Sequence, residues 1–219
     1  PTKLSSVEIE NILVVDVKSV TESVFDFPEW LCSELVESLD FEFIHINKFL
    51  RNRAPMFLRV NGRRSSIENV KSLLLDENIE TERVQGSSRA LIVCSNNRKV
   101  KMSKSFEKGL FEFQDLNSQI ACEMLQLKSG SKVLDFCAGG GGKSLALKDK
   151  VDVDITAYDI NKSRMKDIPA RSERADVEIR VLSTLDEITG LKFDAVICDV
   201  PCSGSGSWRR NPEGKWSLT

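Results

Sequence analysis

The stretch that decides the fold of this chain is KVLDFCAGGGGKS, from Lys132 to Ser144. It begins with a short apolar run, turns through four consecutive glycines, and continues into residues that favour a helix. This order predicts a β-strand, a glycine-rich turn and the N-terminus of a helix. Glycine has no Cβ, so its backbone can approach a ligand closely. The free N–H groups at the start of a helix favour negatively charged groups.

The spacing of the glycines argues against two common nucleotide-binding motifs. A phosphate-binding P-loop requires a glycine five residues before Gly142, where this chain has Cys137. The dinucleotide motif Gly-x-Gly-x-x-Gly is poorly matched, because all the glycines lie within four residues. The next predicted strand, residues 155–160, carries Asp159, which can accept hydrogen bonds from ribose hydroxyls. Asp135 and Asp159 therefore predict a nucleoside-like ligand that need not carry phosphates, such as S-adenosylmethionine; the alternative is a purely structural turn.

Composition and charge limit the kinds of protein this can be. Of the 219 residues, 41% are hydrophobic and 29% charged, which is typical of a globular protein. The net charge of −2 means that any nucleic-acid site must be local. Scattered cysteines without a Cys-x-x-Cys motif, and a single histidine, predict no metal site and reduced thiols in a cytoplasmic protein. No apolar run approaches the ~20 residues of a membrane span, so we expect no membrane partner.

Before the glycine turn, the sequence predicts a helical N-terminal segment over residues 1–40 and a small α+β domain over residues 41–105. The first contains a short apolar stretch at residues 12–15 and a helix at 26–39, whose apolar positions recur at helical spacing. The second contains strands at 57–61 and 90–94 around a helix at 66–75. Residues 106–119 are expected to link this small domain to the glycine turn.

After the glycine turn, strands and helices alternate. Strands are predicted at residues 178–182 and 193–200, and a basic helix at 162–172. Such alternation predicts a doubly wound parallel sheet over residues 106–219. Ligands of such sheets bind at the carboxyl ends of the strands, where Asp159, Ser183 and Asp199 are expected.

The sequence after the last predicted strand, DVPCSGSG from Asp199 to Gly206, indicates chemistry on a nucleobase. A carboxylate can bond the polar edge of a cytosine, and a thiol can attack a ring carbon or remove a proton. Further along, basic residues alternate with tryptophans, a pattern suited to phosphates and stacked bases. These residues are Trp208, Arg209, Arg210, Lys215 and Trp216. The alternative is a structural loop with a buried cysteine.

These motifs together resemble the Sun/RsmB-type RNA cytosine-5 methyltransferases. The similarity extends over residues 27–31, 54–61, 109–115, the glycine turn and 199–206. It implies a Rossmann-like S-adenosylmethionine-dependent methyltransferase fold preceded by a small RRM-like domain, with ribosomal RNA as the substrate. The implied cofactor-binding residues are Cys137, Ala138, Gly139, Gly140, Gly141, Gly142, Lys143, Asp159, Ser183 and Asp199. Gly140 stands where the family usually has proline, and Ser183 where it often has an acid.

The resemblance also implies catalytic roles. In the family, a thiolate attacks C6 of cytosine, C5 takes the methyl group, and a base removes the C5 proton. Asp199 would bind the N3 edge of the cytosine, and Cys202 would assist release of the product. The family's attacking cysteine lies in a Thr-Cys motif further along, and this sequence contains no such pair.

We therefore expect the chain to be an incomplete enzyme whose fourth strand has an exposed edge, unless a partner chain or a domain swap covers it. Two alternatives remain open from the sequence. Cys202 itself could attack the base, as the Pro-Cys thiol does in DNA cytosine-5 methyltransferases. The chain could also be a non-catalytic module that binds RNA or the cofactor.

Overall fold

A computed structural model describes residues 25–218, which divide into two compact units. The first unit combines residues 25–54 with residues 201–218, and the second comprises residues 55–200. The apolar stretch predicted at residues 12–15 lies outside the described residues. No helix in the described part of the chain is long and apolar enough to cross a membrane.

Two helices, α1 (Glu29–Leu39) and α2 (Glu42–Leu50), form most of the first unit. Pro28 directly precedes α1, a position where its missing N–H costs nothing. The helical spacing of Trp30, Leu31, Leu35 and Leu39 predicts all four in the core, but Trp30 is 51% exposed. Leu31, Leu35 and Leu39 are partly buried and pack on this unit's apolar cluster, as predicted. Helix α2 was not predicted; its residues had been assigned to the small α+β domain.

The second unit begins with an antiparallel sheet and the helices that lie between its strands in the sequence. Its elements are β1 (Phe57–Val60), α3 (Ile67–Asp76), β2 (Thr81–Arg83), β3 (Ala90–Val93), α4 (Lys104–Glu107) and β4 (Phe111–Phe113). The strand order is β2-β3-β1-β4. Of the two serines that could cap α3, Ser65 and Ser66, it is Ser66 that accepts a hydrogen bond from the Asn69 N–H, at 3.2 Å.

The strand β4 corrects a predicted boundary. Residues 106–119 were expected to link two domains, but β4 pairs with β1, and Phe111 is fully buried in the core of the antiparallel sheet. The small sheet therefore extends to residue 113 rather than ending at 105. A strand of three residues is too short to show a period of two in the sequence.

A parallel sheet and its neighbouring helices follow within the same unit. Its elements are α5 (Leu116–Met124), β5 (Lys132–Asp135), α6 (Gly142–Lys150), β6 (Asp154–Ala157), α7 (Ile168–Ala175), β7 (Arg180–Val181) and β8 (Ala195–Ile197). The strand order is β7-β6-β5-β8, and all pairs are parallel. This confirms the predicted alternation of strands and helices.

One detail of the parallel sheet differs from prediction. The helix expected at 162–172 is divided into a 3₁₀ turn, Lys162–Met165, and helix α7. Pro169 lies in the first turn of α7, where its missing N–H is tolerated, so the helix restarts there. Strand β8 forms one edge of the sheet within the described residues, as expected for the fourth strand, and Val196 on it is 56% exposed.

Candidate functional site

A cavity of about 280 Å³ lies at the carboxyl end of β5, next to the glycine turn. Its walls include four backbone positions from Cys137 to Gly140, the first residues of α6, and Gln114, which follows β4. Asp135 and Asp199 line it from the ends of two neighbouring strands. The cavity therefore occupies the position at which parallel α/β sheets bind their ligands.

The glycine turn depends on residues without a Cβ. Gly139 and Gly141 have positive φ angles of 50° and 75°. A Cβ at Gly141 would also lie 3.0 Å from Cγ1 of Ile168. Gly142 is the first residue of α6 and lines the cavity, so the positive end of the helix dipole lies at the site.

Asp159 holds the turn in place. Its side chain is 2% exposed, and its Oδ2 accepts a hydrogen bond from the Gly139 N–H at 2.9 Å. The same oxygen pairs with Arg164 at 3.1 Å, while Oδ1 accepts from the Asn161 N–H at 2.9 Å. Asp159 thus orders the turn but is not among the residues that line the cavity, so its contact with a ribose stays a prediction.

Ser183 is not brought to the cavity. It is exposed after β7, and its N–H donates to Oε1 of Glu187 at 2.8 Å. It lies outside the residues that line the cavity. Strand β7 ends at Val181, two residues before Ser183, so Ser183 lies in the loop after the strand.

Asp135 supplies an acceptor that has no protein donor. Its Oδ2 accepts from the Ser144 hydroxyl at 2.7 Å, while its buried Oδ1 has no hydrogen-bond partner among the described residues. Burial raises the pKa of this carboxyl, and the Ser144 hydroxyl opposes the rise. A buried acceptor left unpaired costs roughly 1–3 kcal/mol, so a ligand with a donor group fits here.

The charges that line the cavity are balanced. The cations are Lys143, Arg164 and Arg171, and the acids are Asp115, Asp135 and Asp199. Lys143 and Asp199 form an ion pair across the site, with the Asp199 side chain 58% exposed. A mixed set of charges suits a zwitterionic ligand better than a polyphosphate, which would require a cationic site.

The thiols near the sequence motifs differ in their surroundings. Cys137 lines the cavity, and burial raises the pKa of its thiol, which keeps it neutral. Cys202 belongs to the first unit and is exposed, with no disulfide. Within residues 25–218 there is no group of histidine, cysteine and acidic side chains that could hold a metal ion.

The predicted RNA-binding stripe, formed by the basic residues and tryptophans of residues 208–216, is corrected in part. Lys215 is 2% exposed, pairs with Asp26, and places its Nζ 4.8 Å from the centre of the Phe27 ring. Trp208 is 7% exposed and packs against the same Phe27. Neither side chain can reach RNA in this arrangement, because two short 3₁₀ turns fold this segment into the core of the first unit.

The other members of the stripe differ. Arg209 donates to the carbonyl oxygens of Asn52 and Arg53 at 3.2 and 2.6 Å, and stacks over Phe49. Arg210 and Trp216 are exposed, and RNA contact by them stays a prediction.

Two of the residues that the sequence analysis did not assign to the site donate hydrogen bonds to the glycine turn. Gln114 donates from Nε2 to the carbonyl oxygen of Gly142 at 3.2 Å, and Arg171 donates from Nη1 to the carbonyl oxygen of Gly140. Gln114 lies in the stretch 109–115 that carries the resemblance, so the sequence could have indicated that it belongs to the site. Arg171 was indistinguishable in sequence from the other basic residues of its predicted helix.

A larger cavity of about 580 Å³ lies at the opposite ends of the parallel strands. It is lined by Lys132, Asp154 and Arg180, the first residues of β5, β6 and β7. The amino ends of parallel strands are not where such sheets bind ligands, and residues 139–142 of the glycine turn do not line this cavity.

Two family models match consecutive parts of this chain. Residues 122–219 match the 16S rRNA methyltransferase RsmB/F, and residues 27–100 match the ferredoxin-like domain of RsmF/B-like methyltransferases. The chain belongs to the RsmB/F methyltransferase family. The predicted RRM-like domain is thus the ferredoxin-like domain of this family.

Curated relatives from the RsmB/F family agree with this assignment. Ribosomal RNA small subunit methyltransferase B of Vibrio vulnificus is 29% identical over 195 residues, covering 86% of this chain and 46% of the relative. The same enzyme of Pasteurella multocida is 28% identical over 203 residues, covering 86% and 44%. The chain spans about half the length of the curated relatives it matches.

Solved structures share the RsmB/F fold. The crystal structure of PH0851 superposes with a TM-score of 0.81 at 25% identity, covering all of this chain and 49% of that one. The crystal structure of NSun6 from Pyrococcus horikoshii with SFG gives a TM-score of 0.73 at 17% identity, covering 82% and 72%.

Proposed function

We propose that this chain is the cofactor-binding part of an RNA (cytosine-5) methyltransferase that uses S-adenosylmethionine and acts on ribosomal RNA. The observation that carries the proposal is the mixed-charge cavity at the glycine turn, with its unpaired Asp135 oxygen. The names of the curated relatives support ribosomal RNA as the substrate. A cytoplasmic location is part of the proposal, because unmodified ribosomal RNA must be accessible.

The cavity fits S-adenosylmethionine by its charges and its backbone. The amino-acid part of this cofactor carries an ammonium and a carboxylate, which match acids and cations on the cavity wall. The glycine turn would hold it from Cys137 to Lys143, with Asp135 as acceptor for a donor group. Bound there, S-adenosylmethionine would supply the methyl group. The NSun6 neighbour with SFG, an S-adenosylmethionine analogue, supports this ligand.

We assign the protein's own groups to binding and proton transfer. Asp199 lines the cavity and is more than half exposed, so its carboxyl group is accessible to the N3 edge of a cytosine. Its ion pair with Lys143 would orient it for that contact. Cys202 follows three residues later in the sequence, and its exposed thiol would assist release of the methylated base.

Two alternatives remain. The exposure of the Cys202 thiol also favours its direct attack on C6, and a Cys202→Ala variant separates the two roles. Complete loss of a covalent RNA adduct would indicate attack by Cys202, whereas accumulation of adduct would indicate a role in release. The second alternative is a module that binds RNA or cofactor without turnover.

The proposed activity is tested by transfer of labelled methyl from S-adenosylmethionine to unmodified small-subunit ribosomal RNA by the protein that carries this chain. We expect label on C5 of cytosine, identified after digestion to nucleosides. Label on a ribose, or on another base, would contradict the proposed reaction. Cofactor binding without any transfer would favour the non-catalytic module.

A further inference from the structure

We propose that the ferredoxin-like sheet sets the geometry of the cofactor turn through Arg171, a positioning residue that joins Glu112 in β4 to the carbonyl oxygen of Gly140. The identity of the ligand rests on the function proposed above, but the link itself is within the protein. Through it, an element outside the parallel sheet controls how well the glycine turn is ordered for its ligand.

Glu112 is a buried carboxylate that orients Arg171. Its side chain is 5% exposed, and its Oε2 accepts from Arg171 Nε at 3.1 Å and Nη2 at 2.9 Å. Its Oε1 accepts from Arg174. The guanidinium group is planar and rigid, so two bonds to Glu112 fix the direction of its remaining nitrogen. That nitrogen, Nη1, donates to the carbonyl oxygen of Gly140.

Helix α7, which carries Arg171, is itself anchored on the ferredoxin-like domain. The Asn61 Nδ2 group donates to the carbonyl oxygens of Gly109 at 3.2 Å and Ala175 at 3.1 Å. A Cβ at Gly109 would lie 1.8 Å from the carbonyl oxygen of Arg174, so the two backbones touch directly. The position of Arg171 relative to β4 is therefore fixed at one turn from this contact.

The bond to Gly140 acts on the turn because a peptide group is planar. Fixing the carbonyl of Gly140 also fixes the N–H of Gly141, which donates to the Ala138 carbonyl oxygen at 2.8 Å. Glycines have no side chains to restrict the turn, and freely populate both signs of φ. Without the bond from Arg171, the peptide between Gly140 and Gly141 would lose its only side-chain donor among the described contacts.

A second bond from the same strand supports the turn. Gln114 follows β4 and donates from Nε2 to the carbonyl oxygen of Gly142 at 3.2 Å. Its Oε1 accepts from Arg59 Nε, in β1, at 2.7 Å, which fixes the orientation of the amide. Two carbonyl groups of the turn, two residues apart, are therefore held from the end of β4.

The test compares Arg171→Met with Arg174→Met in the 219-residue chain. Both arginines are 21% exposed and pair with Glu112, so each variant loses an ion pair to the same carboxylate. Only Arg171 reaches the turn. We expect amide hydrogen exchange of the peptide 137–144, without ligand, to be about tenfold faster in Arg171→Met and little changed in Arg174→Met.

The affinity for S-adenosylhomocysteine should depend on how well the glycine turn is ordered. Loss of the bond is expected to raise the Kd for S-adenosylhomocysteine about tenfold in Arg171→Met, with a much smaller change in Arg174→Met. Equal effects in the two variants would overturn the proposal, because they would indicate a general loss of stability. A higher Kd with unchanged exchange would also overturn it, because Arg171 would then contact the ligand directly. If the unmodified chain does not bind S-adenosylhomocysteine, the proposed function fails, while the exchange comparison still decides the role of Arg171.

Discussion

At the scale of single residues, Gly141 and Asp135 link sequence to site most directly. Gly141 adopts a φ of 75° that other residues adopt only with strain, and Asp135 keeps a buried oxygen without a donor. The unpaired oxygen of Asp135 lowers the stability of the ligand-free chain, whereas a glycine adopts the positive φ without strain. Both residues prepare the cavity for a ligand: Gly141 lets the backbone lie close to the ligand, and Asp135 offers a hydrogen-bond acceptor.

Replacement of Gly141 by alanine tests whether the turn requires a glycine at this position. We expect Gly141→Ala to lower the free energy of unfolding by about 1–3 kcal/mol, because of the positive φ and the short contact with Ile168. Gly142→Ala is the matched control: it lies in α6, and its Cβ would meet only atoms 3.9 Å or more away. We expect it to change stability by less than about 0.5 kcal/mol. Chemical denaturation measures both, and equal losses would contradict this account of the turn.

The raised pKa of Asp135 predicts a pH dependence of stability. Burial raises the pKa of Asp135 above its ordinary value of 3.8, so the folded chain binds this proton more tightly than the unfolded chain does. Its contribution to stability is therefore greatest below the unfolded pKa and is lost as pH rises through the folded pKa. We expect the free energy of unfolding of the unmodified chain, relative to Asp135→Asn, to fall as pH rises from about 4 towards neutrality. A rise over the same range would show that the sign is wrong.

At the scale of elements, the two sheets of the second unit are joined by buried charges. Arg59 in β1 donates from Nη1 to Oδ2 of Asp149 in α6 at 2.8 Å, with the two side chains only 5% and 3% exposed. Burial lowers the pKa of Arg59, and Asp149 opposes that effect. Arg89 pairs with the same carboxylate, and the Arg63 N–H donates to its other oxygen at 3.2 Å. Asp149 therefore links α6, which begins at the glycine turn, to the ferredoxin-like sheet.

Removal of this carboxylate should be costly. We expect Asp149→Ala to destabilise the chain by about 3–5 kcal/mol, because it leaves Arg59 buried without its partner. The matched control is Glu68→Ala, which removes the partner of Arg83 in an ion pair whose side chains are 55% and 66% exposed. That loss should be below about 1 kcal/mol. Denaturant midpoints compare the two, and similar shifts would mean that Asp149 does not link the sheets.

At the scale of the whole molecule, the features that the sequence predicts are those formed by residues close together in the chain, and the features it misses depend on distant residues. The strand, glycine turn and helix around residues 132–144 are local, and the alternation after them has a clear period, so both were predicted. The strand β4 is three residues long and shows no period. The burial of Lys215 depends on Asp26 and Phe27, almost 190 residues earlier, which no local pattern reveals. The bond from Arg171 to the turn likewise depends on Glu112 in the other sheet.

The central claim is that the cavity at the glycine turn binds S-adenosylmethionine, and calorimetric titration of the 219-residue chain tests it most directly. We predict saturable binding of S-adenosylhomocysteine at one site per chain, and no binding of ATP, since the wall of the cavity carries equal numbers of acidic and basic residues. Binding of ATP with no binding of S-adenosylhomocysteine would contradict the account, because the turn would then be a phosphate site.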